Sequence, residues 1–453
     1  MSSRPLRFIH TSDWHLERPL SGVADVPDSL RAVFRDAPYL AAERVVDAAL
    51  VEKVDFVLLA GDIIDVELAG PCGVAFLLRQ FERLRERGIE VYWAGGRSDH
   101  PSRWPAAIAL PDNVRRLSAR RPEEAVYTRD QTPLARIAGL SRHRSRKMRA
   151  EDFWPDADGL PSIALAHGPV ERTTLAARAM SYWALGGKHT PATLFDSPHV
   201  AHYCGSPQGR RPSETGPHGC TLVEIDDAAR VRTRFIPTEV VHWRQQRITI
   251  DPTTTREALE RSLVERARSF LAGAASSYVG WPSRPSHGDD AITAVTNAGA
   301  SSGSKRDGLE GHPPSAAWLV SWTIAGHGPL IAALRHGPLA AELLAELRRQ
   351  CGHATPVAWS VSLELEAASA APPSWFERDS LLGDYLRSLA QFETNDGPSP
   401  ALASRLDCLL DDRQRAGRAA CVLAPAAETD RLRVLQKAAA LGADLIGPEE
   451  TLP

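Results

Sequence analysis

A layered α/β fold is predicted for this chain of 453 residues by three features. Short apolar runs alternate with stretches of helical spacing, each run ends in polar residues, and the first three ends read SDWH, GDIID and GGRSDH. Strand, helix, strand, helix, strand is the order of a layered α/β domain, and in such sheets functional groups gather just beyond the carboxyl ends of the strands.

The first strand is predicted over Leu6 to Thr11, ending in SDWHL. Tyr39 to Val51 (YLAAERVVDAALV) places its apolar residues at helical spacing. The buried strand DFVLLAGD follows from Asp55 to Asp62. A second helix, Gly73 to Arg87, stops at Gly88 and leads into the strand IEVYWAGG. The pattern continues with the strands LARIAGLS, PSIALAHGPV and YWALGGKHT, then the Gly/Pro-rich turn CGSPQGRRPSETGPHG and the strand CTLVEID. After Phe235 the character changes, which places a domain boundary near Glu239, with residues 1–239 as one domain and 240–453 as a second. Thr254 to Leu271 has the pattern of an amphipathic helix. From about Gly273 to Ser315 the chain is rich in Gly, Ser, Ala and Pro without periodicity, the signature of a flexible insertion. A second set of elements is expected beyond it: the strand AWLVSWTIAG, the helix LAAELLAELRRQ, the strand VAWSVSLELE, and helices near Leu381 to Gln391 and Thr429 to Leu441.

Length alone requires more than one domain, since single cores rarely serve so long a chain. Hydrophobic content of 43% and charged content of 24% are those of a globular protein, and a net charge of -3 excludes a uniformly basic nucleic-acid binder. The six cysteines have no CxxC spacing, so neither a zinc ribbon nor a disulfide framework is expected. The start, MSSRPLRFIHTSDWHL, lacks the apolar core of a signal peptide, and no apolar run approaches the roughly 18 residues of a membrane span. A soluble cytoplasmic protein with reduced thiols is the expectation.

Asp13, His15, Asp62, His167 and His189 all follow predicted strand ends. Singly, each has a bland reading: an Asp after a strand caps a turn, and a DxH pair arises by chance. Jointly they bring two carboxylates and three imidazoles to one sheet edge, and such mixed O and N ligands suit Mn, Fe or Zn better than Ca or Mg.

The order DxH, GD, a GNHD-like element, an isolated His and a GHxH-like element resembles the calcineurin-like metallophosphoesterases. More narrowly, FIHTSDWHLERPLSG, LLAGDIID, YWALGGKHTP and GSPQGRRPSETGPHGCTLVEID resemble the SbcD-like DNA-repair exonuclease subunits, especially the YhaO-like branch. The resemblance covers Leu6 to about Glu239 and is loose beyond. It implies an α/β/β/α sandwich carrying a smaller C-terminal α/β capping domain. It also implies two metal ions bridged by one carboxylate, which together activate water and clamp a phosphodiester.

Carried over by residue, the resemblance assigns the first ion to Asp13, His15, Asp62 and His189, a complete set. The second ion shares Asp62 and uses His167, an Asn and a further His. Here Gly96, Arg97, Ser98 and Asp99 align with GNHD, so Arg97 replaces the ligand Asn and Ser98 replaces the catalytic His. Gly187 stands where the first His of GHxH belongs. The second site is thus expected to be degraded, with one Mn ion held and no catalytic residue intact. Two readings of Arg97 stay open: a guanidinium beside Asp62 that binds phosphate, or a salt bridge to a surface carboxylate. A one-residue shift of register, putting Asp99 or His100 into the site, is a further alternative.

The basic run SRHRSRKMR, Ser141 to Arg149, and the pair Arg210 and Arg211 read either as phosphate contacts or as solvated surface. Trp14, Trp183 and the cysteines read as core packing. The function implied is phosphodiester hydrolysis on DNA ends, weakened or lost, with a non-catalytic DNA- or phosphate-binding scaffold as the alternative. A coiled-coil ATPase partner of the SbcC type and a homodimer follow from the resemblance alone.

Overall fold

The structure, a computed structural model, describes residues 4–23, 26–142, 148–251, 253–277, 317–326, 329–352, 357–366, 376–377 and 379–394. In chain order the elements begin β1 (Leu6–Thr11), α1 (Asp28–Val51), β2 (Phe56–Leu59), α2 (Val66–Arg85), β3 (Glu90–Ala94) and β4 (Val114–Leu117). They continue with β5 (Glu123–Arg129), β6 (Thr132–Leu140), β7 (Ser162–His167), α3 (Arg172–Ala176), β8 (Tyr182–Gly186), β9 (Ala192–Phe195) and β10 (Val200–Tyr203). Then come β11 (Gly219–Ile225), β12 (Val231–Pro237), β13 (Val241–Ile250), α4 (Arg256–Ser277) and β14 (Ala317–Gly326), followed by α5 (Pro329–His336), α6 (Leu339–Cys351), β15 (Val357–Leu365) and α7 (Leu381–Thr394).

Two six-stranded sheets have the orders β12-β11-β1-β2-β3-β4 and β5-β6-β7-β8-β10-β9, and a three-stranded sheet has the order β13-β14-β15. Because side chains alternate along a strand, β1 turns Phe8 to one face and Ile9 to the other. Phe8, Phe56, Leu58 and Tyr92 of the first sheet pack with Ile137, Ile163, Leu165 and Tyr182 of the second, forming the inter-sheet core. Ile9, Val57, Val91 and Trp93 pack instead against Val45, Val46 and Ala49 of α1 and Leu77, Phe81 and Leu84 of α2. The outer face of the second sheet, with Ala164, Trp183 and Leu185, is covered by Phe153, Leu175 and Met180. The layers are therefore helix, sheet, sheet and a thin helical cover. Burial on both faces explains why the central strands read as continuous apolar runs.

The helix read from Tyr39 begins eleven residues earlier, at Asp28, and passes through Pro38. Buried Leu30, Phe34, Ala37 and Ala41 stand at helical spacing on one packed face, and that burial offsets the hydrogen bond lost at the proline. The second helix begins at Val66, not Gly73, capped by the Asp65 carboxylate on the N–H groups of Glu67 and Leu68. A break at Gly70, before Pro71, hid its first turns from the sequence pattern. The short strands β4, β9 and β10 and the alternating β5 have no counterpart in the sequence reading; β5 buries little besides Ala125 and Tyr127.

By compactness the chain divides into two units, the first Met1–Gln245 with Val264–Ser321 and Leu347–Val361, the second Gln246–Leu263, Trp322–Glu346 and the residues from Ser362. Within the second, Arg256 pairs with Glu342 at 3.0 Å and Arg247 with Glu366 at 2.7 Å. The expected helix over Thr429 to Leu441, most of the Gly/Ser-rich insertion, and His143 to Lys147 of the basic run lie outside the described residues. Among the described residues, no helix is long and apolar enough to cross a membrane.

Candidate metal centre

The carboxyl ends of β1, β2, β7 and β8 converge on one edge of the two sheets, as their parallel pairing requires. The loops after β1 and β2 are zipped together: the N–H groups of Asp13, His15 and Leu16 donate to the carbonyls of Gly61, Asp62 and Ile63 at 2.9, 3.0 and 3.1 Å. This fastening places Asp13, His15 and Asp62 in left-handed backbone conformations, with φ of 55°, 42° and 55°. Such conformations cost about 1–3 kcal/mol each outside glycine and cluster at functional sites.

Two sets of ligand atoms result, Asp13 with His15 and His189, and Asp13 with Asp62 and His167, each lying within 4.8 Å of one another. Asp13 is common to both. Asp62 Oδ2 lies 3.3 Å from His167 Nε2 and 3.9 Å from His15 Nε2, so the two sets are contiguous. The opposite oxygen, Asp62 Oδ1, accepts from the N–H groups of Arg97 and Ser98 at 2.5 and 2.7 Å and from the Ser98 hydroxyl at 2.9 Å. Gly96 must lack a side chain for this approach, because a Cβ there would stand 2.5 Å from Asp62 Oδ1.

Residues 6–205 match the family described as calcineurin-like phosphoesterase. These residues have the calcineurin-like phosphoesterase fold. Over 268 residues the chain is 31% identical to the metallophosphoesterase YhaO of Bacillus subtilis (strain 168), a match covering 56% of this chain and 65% of that protein, just under two thirds. Among solved structures, a dimetal phosphatase from Danio rerio is 13% identical, covering 51% of this chain and 99% of that one at a TM-score of 0.33. GAP50, the anchor in the inner membrane complex of Plasmodium, is also 13% identical, covering 52% of this chain and 85% of that one at a TM-score of 0.32.

The donor set at this sheet edge fits a divalent ion. Each imidazole has its Nδ1 engaged by an acceptor: His15 by Glu17 at 3.1 Å, His189 by Glu214 at 2.9 Å and His167 by the Ala60 carbonyl at 2.8 Å. This fixes the proton on Nδ1 and turns Nε2 toward the cluster, the arrangement that raises a histidine's strength as a ligand. Asp13 Oδ2 accepts from Ser12 Oγ and Gly187 N, while its Oδ1 is buried with no hydrogen-bond partner among the described residues. A buried carboxylate oxygen without a donor is a costly arrangement that a cation relieves.

Charge follows the same geometry. Burial works to raise the Asp62 pKa, but the His167 hydrogen bond and charge outweigh it and hold the carboxyl well below its usual range. Burial likewise works to lower His167, yet the Asp62 hydrogen bond and the Asp13 charge raise it to about 9.

The turn before β11 clamps this edge. Arg210, almost fully buried, donates to the Trp14 carbonyl and at 3.5 Å to that of Asp13, and burial lowers its pKa to about 10. Glu214 accepts from His189, from Arg211 Nε at 2.8 Å and from the Arg210 N–H at 2.9 Å. Arg210 is thus a buried positioning contact and neither a phosphate contact nor solvated surface, whereas Arg211 pairs with Glu214 with more than half of its side chain exposed.

Arg97 differs from its first reading too. Its backbone N–H, not its guanidinium, reaches Asp62, and its side chain is exposed. Asp99 does not enter the ligand cluster: its carboxylate accepts from Asp62 N, Ile63 N, Gly96 N and Trp93 Nε1. His100 bonds Ser102 instead. Trp14 and Trp183 are buried, as are Cys204, Cys220 and Cys351, whereas Cys72 is exposed on α2, so core packing does not describe that thiol. Glu17 and Glu214 were absent from the sequence reading. The signal for Glu17 was its place two residues after His15; nothing local marks Glu214 as the partner of a histidine 25 residues away.

Proposed function

We propose that this protein is a metal-dependent phosphodiesterase of SbcD-like type, acting on DNA ends or a related phosphodiester, with one well-held manganese ion and a weakened second position. The convergence of Asp13, His15, Asp62, His167 and His189 on one sheet edge is the observation that carries this reading. Asp13, His15, His189 and Asp62 would hold the first ion, and His167 with the two carboxylates the second. A bound ion of this kind lowers the pKa of water and stabilises charge on the phosphate. The chain's own contribution is to present lone pairs: Glu17, Glu214 and the Ala60 carbonyl keep the three imidazoles oriented. The exposed Arg97 offers a guanidinium fork to a phosphate approaching over β3. A coiled-coil ATPase of the SbcC type, a homodimer and a cytoplasmic setting belong to the same reading, as do a boundary near Glu239 and a capping role for the residues after it.

One observation favours a scaffold in place of an enzyme. Ser98, aligned with the family's catalytic His, donates its hydroxyl to Asp62 Oδ1, so it is turned toward the ligand carboxylate instead of serving as an acid for a leaving group. Manganese would be counted per chain, and hydrolysis followed on linear DNA and on bis(4-nitrophenyl) phosphate. One tightly bound ion with slow turnover, abolished by Asp13→Ala or His189→Ala, is the expected result. Two tight ions with ordinary turnover overturn the weakened-site reading, and DNA binding without any hydrolysis establishes the scaffold.

A further inference from the structure

Cations ring the ligand cluster, and most of those next to site residues are already matched by a carboxylate. Arg18 meets Glu17 at 3.3 Å, Arg103 meets Asp65 at 3.2 Å and Arg211 meets Glu214 at 2.8 Å. Lys188, set between Gly187 and His189, is exposed and has no ion pair among the described residues. Its ammonium lies 4.6 Å from the centroid of the Tyr203 ring. A cation–π contact of this kind is worth about 0.5–1 kcal/mol at an exposed site, and it holds the charge in place without neutralising it. The platform is firm, because Tyr203 is 1% exposed and its hydroxyl donates at 3.0 Å to the carbonyl of Gly168, the residue after His167.

Beside Lys188 the cluster meets the surface at His189, whose side chain is 24% exposed. Gly187 is exposed at φ +101° and donates its N–H to Asp13 Oδ2; a Cβ on it would stand 3.3 Å from His167 Nε2. An unmatched, pre-positioned ammonium next to the partly exposed His189 of the ligand cluster is a site for an anion that extends past the cluster.

We propose that Lys188 is a phosphate-binding residue, holding a backbone phosphate next to the one at the ligand cluster as a single strand passes over the β7, β8 and β10 edge. This rests on the phosphodiesterase reading of the same site and deepens it: the substrate carries at least two phosphates. With Arg97 exposed on the β3 loop of the other sheet, cations stand on both sides of the cluster.

The test is binding, separate from turnover. A fluorescein-labelled twelve-residue oligothymidylate would be titrated with the full-length protein over a salt series, by anisotropy, in EDTA so that no cleavage occurs. Removing one phosphate contact to single-stranded DNA reduces the slope of log K against log salt by about 0.7. Lys188→Met is expected to show that reduction, Lys188→Arg to restore the slope, and Lys53→Met, at the amino-terminal edge of the first sheet, to leave it unchanged. An unaltered slope in Lys188→Met, an equal loss in Lys53→Met, or no binding by the unmodified protein overturns the proposal. Each of these leaves hydrolysis of a small diester, and so the phosphodiesterase reading, standing.

Discussion

His167 Nε2 lies 3.3 Å from Asp62 Oδ2 while its Nδ1 meets the Ala60 carbonyl at 2.8 Å. Both ring nitrogens therefore face acceptors, and the ring keeps its second proton up to about 9. A metal ion at this position must displace that proton. Manganese affinity for the His167 set is expected to rise up to tenfold per pH unit from about pH 6.5 toward pH 9. Calorimetry in buffers of different ionisation enthalpy would detect the released proton, and a pH-independent affinity contradicts the pairing. Without metal the sign reverses for the fold: the pair's stabilisation is full below the ordinary histidine value and fades as pH rises through about 9.

Glu214 orients His189 from behind, so Glu214→Gln is expected to weaken manganese binding about 10- to 100-fold while leaving far-UV dichroism unchanged. Glu214→Asp should recover part of the loss. Equal affinity in Glu214→Gln and the unmodified protein would show that the carboxylate does not act through the imidazole.

Arg210 fastens the strained loop of Asp13 to His15 from below, donating to the carbonyls of Asp13 and Trp14. Hydrogen bonds from a charged group contribute about 1.5–3 kcal/mol each when their loss leaves buried acceptors unmatched. Arg210→Met is expected to lower unfolding free energy by about 3 kcal/mol in urea, at unchanged slope. A loss under about 0.5 kcal/mol, typical of a surface position, would remove Arg210 from this role.

Between the sheets, His10 Nδ1 hydrogen-bonds with the Tyr182 hydroxyl, and His202 bridges Thr193 and Thr221. Burial lowers the His202 pKa to about 4, and burial with the His202 charge holds His10 well below its ordinary value. Both rings are neutral in the folded state and take up protons on unfolding. Stability is then full above about pH 6.5 and declines as pH falls toward 4, by about 3 kcal/mol from His202 alone. Denaturation midpoints across that range in the unmodified protein and in His202→Asn would check it: the variant should show the smaller slope.

Restoring the aligned ligands tests what was lost. Arg97→Asn with Ser98→His is expected to raise turnover. Gly187→His is expected to cost stability even while adding a ligand, because Gly187 sits at φ +101° with His167 Nε2 3.3 Å from any Cβ. A melting temperature unchanged by Gly187→His would mean that the loop relaxes freely.

Much of the fold was legible because its central strands are buried on both faces and so read as plain apolar runs. β1 lies where the pattern put it, from Leu6 to Thr11. The start of α2 was not legible, since Gly70 and Pro71 break the period while Asp65 and the packing behind it still hold the turn. Of the candidate site, Asp13, His15, Asp62, His167 and His189 were visible as polar residues at strand ends. Of their partners, Glu17 carried only its place two residues after His15, and Glu214 carried no local signal of the histidine it faces.

The sequence by itself determined the order of the central strands and the helices between them, and which carboxylates and imidazoles reach a strand's end, since these follow from local period and composition. Only the tertiary structure decided which atoms meet. Gly187 donates to Asp13 across 174 residues, Arg97 meets Asp62 by its backbone and not its guanidinium, and Lys188 rests on Tyr203 with no ion pair among the described residues. Such contacts depend on how two sheets pack and on the angle at which each loop leaves its strand, and neither is encoded in the spacing of residues along the chain.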